Sequence, residues 1–188
     1  MFKVYFATSN KGKFLEVKRL AEAFSLQVEQ APIKGVEIQH ESLAEIASQA
    51  VRQAYRKLKA PVMVEDAGLF IEALNGFPGP YSSYVYRKLG VQGILKLMEG
   101  ERNRRAWFLS ALAFKAPKMK VKVFLGRVDG EIVLQARGRK GFGFDPIFQP
   151  EGEKRTFAEM EPEEKNRFSH RGKALAELAE WLKKRGYI

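Results

Sequence analysis

Four short stretches carry the side chains that could do chemistry. Thr8-Ser9-Asn10-Lys11-Gly12-Lys13 is a polar turn with two lysines. Glu65-Asp66-Ala67-Gly68 sets two carboxylates side by side. Gly138 to Pro146 reads GRKGFGFDP; its glycines let backbone approach a ligand closely, and Phe142 and Phe144 offer flat faces to a base. Ser169-His170-Arg171-Gly172-Lys173 opens a helix, and Lys165 and Arg167 precede it. There is no cysteine, and the two histidines, His40 and His170, are far apart. No Cys-His or Ser-His-Asp reading holds, and a zinc site lacks its ligands. Carboxylates without soft ligands suit magnesium. Together with lysines at a helix start, they equip a protein for phosphoryl chemistry on a nucleotide. A metal neutralises the phosphates, and a carboxylate positions or deprotonates a water.

These residues need elements to hold them. Phe2 to Ala7 is a short apolar run with aromatic and β-branched residues, which reads as a buried strand. After the turn, Phe14, Leu15, Val17, Leu20, Ala21 and Phe24 recur at helical spacing, and Ser9 or Asn10 can cap the helix. Backbone N–H groups at such a helix start, where the dipole is positive, are a phosphate site. The spacing is not a Walker A loop, which needs G-x-x-x-x-G-K-[ST]. The alternative is a solvated helix start with ordinary surface lysines. Leu26 to Gln30 alternates as a strand, and a loop from Ile33 to Glu41 follows. Ser42 then opens a long helix, with Glu45 in a capping-box position. Val62-Met63-Val64 reads as a short central strand ending in the two carboxylates, where ligands of α/β sheets gather. A turn capped by Asp66 is the plainer alternative.

Asn75 to Tyr81 is a glycine- and proline-rich loop, a wall near the site or a plain connector. Helical segments are expected around 83–90 and 91–99. Arg105 to Lys115 and Lys120 to Val128 read as strands, and Asp129-Gly130 as a tight hairpin into a further strand over 131–138. Ala174, Leu175, Leu178, Ala179 and Leu182 make the apolar stripe of the last helix. The expected fold is α/β: a central mixed sheet flanked by helices, with a β-meander in the second half. The 188 residues suit one domain, 1–188, and show no repeat or linker. No apolar run approaches membrane-spanning length, and Met1-Phe2-Lys3 leads straight into a strand; with no cysteine, the expectation is a cytoplasmic protein.

The formal charge is +11, and between Arg87 and Lys140 fourteen Lys or Arg face four acids. Nucleic acid and a triphosphate are equal candidates for the partner, beside a merely solvated cationic surface.

Six stretches in order resemble the inosine triphosphate pyrophosphatase family. They are FATSNKGK at 6–13, EIQ at 37–39, EDAGL at 65–69, FPGPYS at 77–82, GFGFDPIF at 141–148 and EKNRFSHR at 164–171. One departure is Ala67, where members often carry serine. The resemblance implies Mg²⁺-dependent hydrolysis of non-standard purine nucleoside triphosphates (ITP, dITP, XTP) between the α- and β-phosphates, cleansing the nucleotide pool. It implies that Thr8, Ser9, Asn10, Lys11, Gly12 and Lys13 hold the triphosphate. Glu37 and Asp66 engage Mg²⁺, with Asp66 also the proton acceptor for the attacking water. Ala67 contacts the substrate; Phe142, Gly143, Phe144 and Asp145 frame the nucleoside; Lys165, His170 and Arg171 complete the site. Members are typically homodimers. Arg171 or His170, aimed at a 6-oxo group, would favour hypoxanthine and xanthine over adenine. The rivals are a nucleic-acid module using the basic strands between Arg104 and Arg139, a nucleotide sensor without hydrolysis, and a phosphatase releasing orthophosphate. On the favoured reading nucleic acid is not required.

Overall fold

The computed structural model describes residues 2–33, 35–36 and 38–188. The strands are β1 (Phe2–Ala7), β2 (Leu26–Ala31), β3 (Val62–Ile71), β4 (Pro78–Gly79), β5 (Arg105–Lys115), β6 (Lys122–Ile132) and β7 (Phe148–Pro150). The α-helices are α1 (Lys11–Glu22), α2 (Leu43–Leu58), α3 (Ser82–Leu97), α4 (Pro162–Asn166) and α5 (His170–Lys184). One mixed sheet runs β2-β1-β3-β5-β6-β7, with β4 paired to β3. β1 is parallel to β2 and β3, while β3, β5, β6 and β7 are successively antiparallel. The expected β-meander is therefore β5-β6-β7.

Side-chain caps start α1, α2 and α5. The Lys13 N–H donates to the Asn10 side chain at 3.0 Å, and the Gly172 N–H to Ser169 at 3.1 Å. Ser42 accepts from the Glu45 N–H at 3.4 Å, one half of the expected capping box. α2 lays Leu43, Ala47, Val51 and Ala54 on one sheet face, against Val62, Ala111 and Ala113. α1 and α5 cover the other, with Val17, Ala21, Leu175, Leu178 and Leu182 packed on Val4, Phe6, Met63, Leu112 and Phe114. A third cluster joins α3 to the β6–β7 end through Ile94, Met98, Phe108, Ile132 and Phe148. α3 is broken at Gly90, whose φ of 62° and ψ of −167° separate the two helical segments expected there.

Two expectations need correction. The strand begun at Val62 does not end in the carboxylates but continues to Ile71, paired residue by residue with β5 from Val62–Lys115 to Ile71–Ala106. The long antiparallel partner satisfies the backbone of Glu65 to Gly68, so turn-forming residue types stay extended. Nor do Asp129 and Gly130 make a hairpin: β6 passes through them to Ile132. Gly130 is there for close approach, since a Cβ would lie 2.3 Å from the Gln149 carbonyl oxygen of β7. The third strand of the meander lies at 148–150, not 131–138.

Candidate active site

Pairing between β1 and β3 covers only Tyr5–Val62 and Phe6–Met63. β1 then ends at Ala7 and the chain swings into α1, while β3 runs on. The gap beyond the β1 end opens a cleft of about 890 Å³. Thr8, Ser9, Asn10, Gly12 and Lys13 form its rim on the α1 side, and Glu65, Asp66, Ala67 and Gly68 cross its back. The loop 141–145 and the α4–α5 residues Lys165, His170 and Arg171 close one side; Gln53, Ala50 and Ala47 of α2 close the other.

Adjacent residues of a strand face opposite ways, and Glu65 and Asp66 divide the cleft accordingly. Glu65 turns toward α1 and α5, where its side chain is fully buried. Its Oε2 lies 2.8 Å from Lys13 Nζ. Oε1 accepts from Ser110 Oγ at 2.8 Å and from Arg171 Nε at 3.1 Å. Arg171 Nη1 reaches Glu16 Oε2 at 2.6 Å. Lys165 Nζ donates to Asp145 Oδ2 at 2.8 Å and lies 3.8 Å from Glu16 Oε1. Three cations and three carboxylates thus form one buried chain from α1 across β3 to α5. Burial pushes the Glu65 carboxyl up, but Arg171 and Lys13 outweigh it and hold it well below the usual carboxylate range. Burial also works against the Arg171 charge, and Glu16 and Glu65 reverse that, keeping the guanidinium firmly protonated. For Asp145, burial prevails and raises its pKa, although Lys165 and the Phe142 N–H pull the other way.

The glycine-rich loop is built around that last carboxylate. Asp145 Oδ2 accepts the Phe142 N–H at 2.9 Å, and Gly141 stands at φ 73° where a Cβ would lie 2.1 Å from the same oxygen. The loop lays the Phe142 ring over the cations, 5.1 Å from Lys165 Nζ and 5.5 Å from Arg171 Cζ. Phe142 remains 38% exposed and so offers its ring to the cleft, whereas Phe144 is buried against Tyr86. His170 is buried flat on Phe108, rings 4.8 Å apart. Burial, with Arg171 beside it, pushes its pKa well below the ordinary value, so the imidazole is neutral.

On the α2 side, Asp66 accepts its neighbour's N–H, from Ala67 at 3.1 Å. Among the described residues no three His, Asp or Glu side chains stand together as a metal cage. Magnesium does not need one, because it is commonly bound through one or two carboxylates plus substrate phosphates. Asp66, at the back of a cleft rimmed by a capped helix N-terminus, fits that mode. Glu37, the other carboxylate expected on the metal, lies outside the described residues.

Comparison with known proteins gives the family. The sequence profile of the Ham1 family matches residues 4–181. The chain belongs to the Ham1 family. It is 51% identical to a dITP/XTP pyrophosphatase of Hyperthermus butylicus, over 97% of this chain and 96% of that one. It is also 51% identical to a dITP/XTP pyrophosphatase of Methanopyrus kandleri, over 96% of each chain. The fold matches a HAM1 protein from Coxiella burnetii with a TM-score of 0.86 and 30% identity, over 98% of this chain and 100% of that one.

This Ham1-family chain brings nearly all the sequence-derived candidates to one place. Thr8, Ser9, Asn10, Gly12, Lys13, Asp66, Ala67, Phe142, Gly143, Phe144, Asp145, Lys165, His170 and Arg171 all line the cleft. Lys11 does not; it is exposed on the first turn of α1. Sequence reasoning noted Glu65 without giving it a role, and passed over Glu16 and Ser110. Glu16 stands three residues after Lys13, on the same helix face, which was the available signal. Ser110 is legible only from its place across from Ala67 in the sheet.

Proposed function

We propose that this Ham1-family chain hydrolyses non-standard purine nucleoside triphosphates (ITP, dITP and XTP), cutting between the α- and β-phosphates to leave a nucleoside monophosphate and pyrophosphate. The observation that carries the reading is the single cleft. A capped helix start with Lys13 and a carboxylate, Asp66, both line it, and an exposed ring, Phe142, stands at its side. The names of the half-identical relatives, dITP/XTP pyrophosphatases, support the substrate class.

In this reading the Thr8–Lys13 turn holds the triphosphate through backbone N–H groups and Lys13. Asp66 accepts the proton of the attacking water, and Asp66 and Glu37 are the residues that would hold Mg²⁺. When bound, Mg²⁺ neutralises phosphate charge and acidifies water. Ala67 abuts the substrate; Phe142 stacks on the base, with Gly143, Phe144 and Asp145 fixing the loop. Lys165 holds Asp145 in place, and Arg171 and neutral His170 read the purine edge. Nε, Nη1 and Nη2 of Arg171 each meet a carboxylate, and each terminal nitrogen retains one further N–H for an acceptor such as a 6-oxo group. Adenine offers a 6-amino donor there, leaving the buried donors unpaired. Residues 1–188 act as one domain, in the cytoplasm, as a homodimer. Exposed Phe77, Tyr81, Tyr84 and Leu89 provide apolar surface for the second copy. No helix among the described residues is long and apolar enough to cross a membrane.

Product analysis tests the reaction. Purified protein with ITP and Mg²⁺ should give inosine monophosphate and pyrophosphate much faster than ATP or GTP reacts. Orthophosphate as the first product would overturn the cleavage position, and no turnover with any divalent metal would overturn hydrolysis itself.

A further inference from the structure

Folding sorts the cationic excess of the sequence into two kinds. Many of the basic residues between Arg87 and Lys140 are occupied. Arg104 caps the carbonyls of Met98, Ile132 and Val133; Arg127 pairs with Asp129, Arg137 with Glu159 and Lys140 with Glu161. Another group gathers at the pole of the sheet where β5 ends and β6 begins. Three segments meet there, 55–61, 115–122 and 182–188, and none contains an acidic residue. They hold ten Lys and Arg. Lys115 Nζ lies 4.4 Å from the Tyr55 ring centre, tying the α2 end to the β5–β6 turn. Tyr187 Oη reaches Met119 Sδ at 3.7 Å, tying the C-terminal segment to the same turn. Arg56, Lys59, Lys118, Lys120, Lys122, Lys183, Lys184 and Arg185 are exposed. Among the described residues none of these eight has an ion-pair partner.

We propose that this pole docks a nucleic-acid backbone without sequence preference. Unpaired surface lysines around a convex turn match a string of phosphates, not one nucleotide, and they release counterions on contact. A membrane would ask for exposed aliphatic side chains; the only large exposed hydrophobic residue in the three segments is Tyr187, 40% exposed, and its ring packs against Phe2 at 4.9 Å. The pole is separate from the cleft. Lys115 pairs with Val62 and Asp66 with Ala111, so the two levels stand about 13 Å apart at ~3.3 Å per strand residue. Nucleic acid held at the pole leaves the cleft open.

The test is fluorescence anisotropy of a short labelled single-stranded DNA, titrated with the whole protein at several salt concentrations. Binding should weaken steeply, with a log–log slope of about −3 to −4 for five phosphate contacts at ~0.7 each. Replacing Lys118, Lys120, Lys122 and Lys184 by Glu should weaken binding at least tenfold and flatten the slope, while ITP turnover stays at the wild-type rate. The same four changed to Ala, a milder set, should give a smaller loss in the same direction. Wild-type protein that shows no salt-dependent binding overturns the proposal. So does an unchanged affinity in both variants, or retention on phosphatidylserine vesicles with none on DNA.

Discussion

Glu65→Gln is the substitution that most directly tests the buried ionic chain. Gln keeps the shape, and its amide oxygen can still accept from Ser110, now 2.8 Å from the carboxylate. What disappears is the charge facing Lys13 at 2.8 Å and Arg171 at 3.1 Å. Breaking a buried pair by neutralising one partner costs about 3–5 kcal/mol. Two features place this case at the lower end: Arg171 keeps Glu16 at 2.6 Å, and the Lys13 side chain is 19% exposed. We expect a loss of about 3 kcal/mol in urea unfolding at neutral pH. The acid limb should change too. The native carboxyl resists protonation to well below its ordinary value of 4.5, where the unfolded chain takes up its proton. Wild-type stability therefore falls as pH drops below that value, and the Gln variant lacks this part of the fall.

Damage to packing alone would also lower stability, so a second readout is needed. Neutralising Glu65 leaves the cleft one unit more positive and Lys13 available to phosphate. A cation 4 Å from a phosphate gains roughly 4 kcal/mol at an effective dielectric constant of 20, before salt screening. Even a third of that is about tenfold in affinity. Pyrophosphate should therefore raise the melting temperature of the variant more than that of the wild type. A variant within ~0.5 kcal/mol of wild type, or an equal pyrophosphate shift in both, would refute the assignment of Glu65 as the anion that holds Lys13 and Arg171.

Other expectations follow from the same geometry. Asp66→Asn should nearly abolish ITP hydrolysis with an unchanged circular dichroism spectrum; near-wild-type turnover would remove Asp66 from the mechanism. Lys13→Ala should weaken triphosphate binding more than binding of the monophosphate product, measured by calorimetry, and equal losses would argue against a β/γ-phosphate contact. His170, neutral in the fold, takes up its proton only on unfolding as pH falls below about 6.5. Stability should thus decline below that pH, and His170→Phe should remove that part of the slope.

The first strand, the turn, the helix and the three helix caps were readable because each is a local pattern: an apolar run, a short polar side chain, a 3.6-residue period. β3 was not, because Glu65-Asp66-Ala67-Gly68 has the local chemistry of a turn. Its extended form depends on β5, some forty residues later. The Asp129-Gly130 pair misled for a related reason: a glycine that signals a turn locally is here demanded by the neighbouring strand β7. The site divides in the same way. Residues that face a ligand were found by type and motif. Those that hold them, Glu65 and Glu16, were not, because their partner Arg171 lies 106 and 155 residues away.

The paired state of the site's cations bears on how a triphosphate can enter. Among the described residues, Lys13, Lys165 and Arg171 are the cations of the cleft lining, and Glu65, Asp145 and Glu16 already face them. Asp66 adds a fourth carboxylate. The N-terminus of α1 returns only about half a positive charge. Counted over the described residues, the cations of the cleft are thus already matched by carboxylates, and a bare triphosphate gains little by entering it. A nucleotide that brings a divalent cation meets the opposite balance, since its excess charge is reduced before it enters. Wild-type protein should therefore bind ITP at least tenfold more weakly in EDTA than with Mg²⁺, by calorimetry. Inorganic phosphate alone should bind weakly in either condition. Tight metal-free binding of ITP would mean that Lys13 and Lys165 leave their carboxylates for the phosphates, and the ionic chain would then be a reservoir of free cations instead of a balanced floor.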